Sequence, residues 1–104
     1  MNLTKDADKM IRIIYRDYLG RRKQHLPRSL ACRFDEDYFS SSHSFDGWLK
    51  ADLDFTLLEL ARAGLIRLYI GGSFDLDDPG VIYMENRFKN GLMEVAEFVS
   101  KFIP

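Results

Sequence analysis

Apolar residues recur at helical spacing near the start of the chain. Ala7, Ile11, Ile14 and Tyr18 lie three or four positions apart, with Met10 beside them, which predicts an amphipathic helix with one buried stripe. Thr4 is placed to cap it, and Asp6 and Asp8 fall in its first turn, where the helix dipole favours anions. Gly20 predicts its end, and the basic run Arg21-Arg22-Lys23 complements the negative pole of the dipole. Pro27 suits the first turn of a short second helix reaching about Phe34. Residues 35–47, with Ser40-Ser41-Ser42 at their centre, predict a loop or a broken turn. Tyr38, Phe39 and Phe45 make that stretch too aromatic for an interdomain linker. Trp48, a candidate core anchor, and Leu49 lead into a third helix with an inner stripe of Leu53, Leu57, Leu60 and Ala61, stopped by Gly64.

The pattern then shortens. Residues 65–70 and 73–77 predict two strands joined by a two-residue turn at Gly71-Gly72, since both glycines accept the positive φ of a type I′ turn. That register sets Tyr69 opposite Phe74. Asp78 as N-cap and Pro79 in the first turn open a last helix over residues 79–102, roughly 36 Å long at 1.5 Å per residue. Its stripe is Val81, Met84, Phe88, Leu92, Val95, Phe98, Val99 and Phe102, interrupted by Glu85 and Gly91. Glu85–Lys89 and Glu97–Lys101 are in the favourable i,i+4 order. The reading is mainly α with a small β-hairpin, in the order α-α-α-β-β-α with a long C-terminal helix.

With 104 residues, 46% of them hydrophobic, the chain fits one globular domain over 1–104. Cys32 stands alone, so a disulfide scaffold is excluded. The opening residues are polar where a signal core would be apolar, and no apolar run reaches the roughly 18–20 residues of a membrane span. A cytoplasmic protein without a membrane partner is the expectation. The net charge of −1 excludes a generally polybasic nucleic-acid binder but hides an asymmetry. Residues 1–33 carry nine bases and three acids, a net +6, whereas residues 34–104 carry six bases and thirteen acids, a net −7. Such a division marks either a basic binding face or two ends that neutralise each other in the fold.

Chemistry-bearing residues are few. Cys32 with His25 or His43 and a carboxylate would make a nucleophilic site, but Cys32 lies in Leu30-Ala31-Cys32-Arg33-Phe34 and reads as a small core residue. The same three residues, 7 and 11 positions apart, lack compact zinc spacing. Asp75, Asp77 and Asp78 lack a calcium-loop pattern, and no Gly-Lys-Ser/Thr follows the glycines at 71, 72 and 80. The expectation is a non-catalytic protein with no cofactor and no metal.

The stretch Leu57-Leu58-Glu59-Leu60-Ala61-Arg62-Ala63-Gly64-Leu65-Ile66 resembles the end of a winged-helix recognition helix running into its wing. Phe74-Asp75-Leu76-Asp77-Asp78-Pro79-Gly80 is similar to the second wing strand and the start of the closing helix, with Asp77 where that family often has Thr. In motif the resemblance covers about residues 57–83, and in element order about 4–102. It is to winged-helix domains, and the ending is similar to that of small uncharacterised ones of Gram-positive bacteria and their phages. One departure is the length of residues 35–47, against the 3–4 residues of a helix-turn-helix turn, which predicts a displaced third helix.

The resemblance implies a DNA-associated regulator of transcription. Arg21, Arg22, Lys23, Arg28 and Arg33 flank the second helix, which in that family crosses the DNA backbone, and are the phosphate candidates. The outward positions of the third helix are Asp52, Asp54, Phe55, Leu58, Glu59 and Arg62, so three acids face phosphates with one arginine. The wing tip, Gly71-Gly72-Ser73, has no base for a minor groove. The alternative is a protein-interaction or dimerisation module. Its candidate homodimer contacts are Met84, Phe88, Leu92, Val95, Phe98, Val99 and Phe102. The expected partners are therefore double-stranded DNA, a second copy of the chain, or another protein.

Overall fold

A computed structural model of the protein describes residues 1–87. The elements are α1 (Lys5–Lys23), α2 (Arg28–Ala31), β1 (Arg33–Phe34), α3 (Tyr38–Ser41), a 3-10 turn (His43–Phe45), α4 (Lys50–Arg62), β2 (Ile66–Leu68), β3 (Phe74–Leu76) and α5 (Asp78–Arg87). The structure is mainly helical, with one antiparallel sheet in the order β1-β3-β2. The later part of the predicted last helix lies outside the described residues.

α1 is the spine, packed against α2, α4 and α5. Its predicted stripe is buried in full, and Ile13 and Tyr15 are buried as well, because neighbours surround more than one face. The Thr4 hydroxyl caps it by accepting from Ala7 N at 3.2 Å. Gly20 does not end it. The helix runs to Lys23, and His25 (φ 69°) supplies the left-handed residue. Leu26 N donates to Arg21 O and His25 N to Arg22 O, both within 3.1 Å, which closes the last turn as a Schellman motif with Pro27 just beyond. An exposed glycine inside a helix costs only about 1 kcal/mol, so the cap outweighs it.

The second helix is shorter than predicted. Pro27 precedes α2, and Arg33 and Phe34 leave the helix to pair with Asp75 and Phe74. Cys32 O accepts from Leu76 N at 2.8 Å, which joins this strand to the sheet. Residues 35–47 are not a plain loop, since they hold α3 and the 3-10 turn. Their aromatic side chains explain it. Phe34 stacks on Phe74 with centroids 5.0 Å apart, Tyr38 stands edge-on to Phe34 at 4.8 Å, and Phe39, Phe45 and Trp48 extend the cluster. The serines bond locally: Ser40 and Ser41 hydroxyls donate to Asp37 O, and the Ser42 hydroxyl caps the 3-10 turn by accepting from Ser44 N.

The hairpin register differs by one residue from the sequence reading. Leu68 faces Phe74 and Ile66 faces Leu76, so Tyr69 meets Ser73, and Ile70-Gly71-Gly72 form a three-residue tip. Directly opposed residues share a face of the sheet. Pairing Tyr69 with Phe74 would therefore turn one alternation inside out. Tyr69 instead donates its hydroxyl to Asp75 at 2.7 Å on the outer face. α5 starts one residue earlier than predicted, with Asp77 O accepting from Gly80 N and Val81 N. Gly80 is required there. A Cβ on it would lie 2.2 Å from Leu65 O and 2.8 Å from Leu76 Cδ1.

Candidate interaction surfaces

Part of the basic segment is occupied by the fold itself. Arg21 lays its guanidinium over the Phe34 ring, 4.2 Å from the centroid, and donates to the carbonyls of Ala31 and Arg33. It fastens the end of α1 to β1 and is not a free phosphate donor. Arg22 donates to Leu26 O at 3.1 Å, and Arg28 pairs with Asp78 at 2.9 Å. Lys23 and Arg33 are exposed, with no side-chain partner among the described residues. Arg33 lies across the sheet from Asp75, which is itself opposite Arg67, so the outer sheet face alternates in charge. Nearer the start of α1, Arg16 donates to Asp17 and Ser44, Arg12 lies 3.8 Å from Asp8, and Arg87 also binds Asp8. Asp17 accepts from the Tyr38 hydroxyl as well, which ties α1 to α3. Burial, reinforced by the Asp17 charge, pushes the Tyr38 hydroxyl well above its ordinary value.

α4 presents a different chemistry. Thr56, Leu57 and Leu60 are buried, and Leu53 and Ala61 pack half-buried against the core. The predicted outward positions Asp52, Asp54, Phe55, Leu58 and Arg62 are exposed. Glu59 is the exception. It is half-buried and accepts from Thr4 N at 3.0 Å and from the Thr4 hydroxyl at 2.7 Å, so it clamps α4 to the start of α1. Asp54 pairs with Lys50 at 3.3 Å. Ala51, Phe55, Leu58 and Arg62 follow one another at i, i+4, i+7 and i+11 and form one ridge. Phe55 is 71% exposed, and Leu49, just before the helix, is 69% exposed.

Thr4 touches α4 near its C-terminal end, whereas Arg22 lies 18 residues further along α1, roughly 27 Å at 1.5 Å per residue. The hairpin tip adds no positive charge. A Cβ on Gly71 would sit 3.7 Å from Glu36 Oε2, so a carboxylate lies beside it. Ser73 follows the tip with its backbone bonded to Tyr69.

Met84, the first of the candidate dimer contacts, is fully buried in the chain's own core. The others, Phe88, Leu92, Val95, Phe98, Val99 and Phe102, lie outside the described residues. A groove of about 570 Å³ runs between α1, α2 and α5, lined by Tyr18, Arg22, Arg28, Cys32, Leu76 and Val81 among others. Burial raises the Cys32 thiol above its ordinary value, with the Asp75 charge adding to it. That shift opposes thiolate formation. Among the described residues no three His, Cys, Asp or Glu side chains are grouped to hold a metal ion. No helix among them is long and apolar enough to cross a membrane. Compared with known protein families, curated proteins and solved structures, the chain matches none.

Proposed function

We propose that this chain is a non-catalytic winged-helix domain that works by binding protein rather than duplex DNA. The sheet order β1-β3-β2, with β1 ahead of the α3–α4 pair and β2–β3 after it, supports the winged-helix reading. On that reading α3 and α4 are the helix pair that meets the partner, and the β2–β3 hairpin is the wing.

One observation carries the choice of partner. Residues 35–63, which hold both helices, contain seven acids and two bases, a net charge of −5. A duplex presents one negative charge per ~1.7 Å of its axis, so a segment of this charge is repelled by it. Of the arginines expected to offset that repulsion, Arg21 is drawn onto Phe34 and Arg28 is paired at the surface with Asp78. The rival reading, a DNA-associated regulator, rests on Lys23, Arg33 and the exposed Arg22 at the far end of α1.

Fluorescence anisotropy of a labelled random duplex, titrated at about 50 and about 200 mM salt, tests the two readings. The protein-binding reading expects no micromolar binding at either salt. Binding at low salt that weakens steeply at high salt, and that is lost when Arg22, Lys23 and Arg33 are replaced by Ala, would overturn it in favour of DNA.

A further inference from the structure

We infer that the groove between α1, α2 and α5 binds a small organic acid, one carboxylate on an aromatic or branched apolar body. The site is independent of whether the domain's partner is a protein or a duplex. Its floor is apolar. Tyr18, Leu76 and Val81 line the main hollow of about 570 Å³, and a second of about 400 Å³, sharing Tyr18 and Val81, continues along Leu19 and Ile82. Volumes of this order suit a small molecule. Tyr18 is the unusual member. It is only 5% exposed, and its hydroxyl has no hydrogen-bond partner among the described residues, yet the residue lines both hollows. Buried tyrosine hydroxyls ordinarily find a partner, so this one is left for a ligand.

The charge at the main hollow sets the class of ligand. Arg22 and Arg28 line it against one acid, Asp78, which leaves a net +1. Arg22 gives Nη1 to Leu26 O and has no carboxylate partner among the described residues. Arg28 and Asp78 pair across the mouth, from α2 to α5, and both are exposed. An exposed pair of this kind is weak. A ligand carboxylate can therefore bind Arg22 and compete with Asp78 for Arg28, while the apolar body covers Leu76 and Val81 and the Tyr18 hydroxyl donates to it. Glu85 lines only the second hollow, two helical turns along α5 from Asp78, so the carboxylate belongs at the Arg22 end.

The test titrates the full chain with 4-phenylbutyrate, followed by calorimetry and by amide NMR shifts. 4-Phenylbutan-1-ol and 4-phenylbutylammonium keep the body and change the head. The acid should bind at least ~10-fold more tightly than either, with the largest shifts in residues 22–32 and 76–82. Arg22→Ala should weaken it about tenfold. Tyr18→Phe, which keeps the buried ring, should weaken it about threefold. Asp78→Asn should tighten it about threefold by removing the competing carboxylate. Circular dichroism should be unchanged in all three variants. Equal affinity for the three heads, no binding of the acid, or shifts outside the groove would each overturn the site. So would an affinity that neither Arg22→Ala nor Tyr18→Phe alters, or one that Asp78→Asn weakens. A tripeptide ending in phenylalanine carries the same carboxylate and ring. If it binds more tightly than 4-phenylbutyrate, the groove takes a protein terminus and the small-acid assignment is overturned.

Discussion

Arg21 and Phe55 exchange the roles their side chains suggest. At the end of α1 a guanidinium is folded inward, over the Phe34 ring and bonded to two carbonyls. On α4 an aromatic ring faces solvent over most of its surface. The first region spends its charge on holding β1, and with it the sheet, against α1. The second leaves apolar surface uncovered. A basic run therefore does not define a binding face, nor an apolar residue a core; the atoms within reach decide both.

Substitutions in the two regions test that contrast. Phe34→Ala removes a fully buried ring from between Arg21, Tyr38 and Phe74, and should cost about 3–5 kcal/mol in urea unfolding. Arg21→Ala should cost about 1–2 kcal/mol, from the lost carbonyl bonds and ring contact. A cost below about 0.5 kcal/mol would return Arg21 to the surface and break the contrast. Phe55→Ala should shift stability by less than about 0.5 kcal/mol, since the ring packs on little. A larger loss would mean that the ridge is already covered.

pH sharpens the inner side of the comparison. The Tyr38 hydroxyl is held neutral in the folded chain, its pKa raised above the ordinary 10.0 by burial and then by Asp17. Above pH 10 the unfolded chain releases this proton and the folded chain keeps it. Its stabilisation is therefore present below the unfolded value and lost as pH rises, with a slope near 1.4 kcal/mol per pH unit for one proton. Tyr38→Phe should flatten the alkaline limb of the stability curve. Tyr15, also raised mainly by burial, retains a smaller share of it. At neutral pH the same variant should lose about 1 kcal/mol with its hydroxyl bond to Asp17.

The helices were legible where periodicity is long. α1 and α4 show their buried stripes directly in the spacing of Ile, Leu and Tyr. Shorter features lacked a local signal. Two residues of β1 cannot display alternation, and the partner that makes them a strand, Phe74, lies forty positions away. The hairpin register needed the inward pairs Ile66–Leu76 and Leu68–Phe74 rather than the glycines alone. At the candidate surface, the exposure of Phe55 and Leu58 followed from the helical wheel. The capture of Glu59 by Thr4 did not, because it joins residues 55 positions apart.

The pairing of Arg33 and Phe34 with β3 also has a bearing on the order of events during folding. It closes the chain over residues 35–73, a long loop with a substantial entropic cost, whereas β2 and β3 meet across a three-residue tip. Hairpin and α4 can form as a local unit, and β1 docks afterwards. Truncating Phe34 should then accelerate unfolding far more than it slows folding, a low φ-value. A low φ-value at Phe34 would make the two-residue strand the late latch that completes the domain.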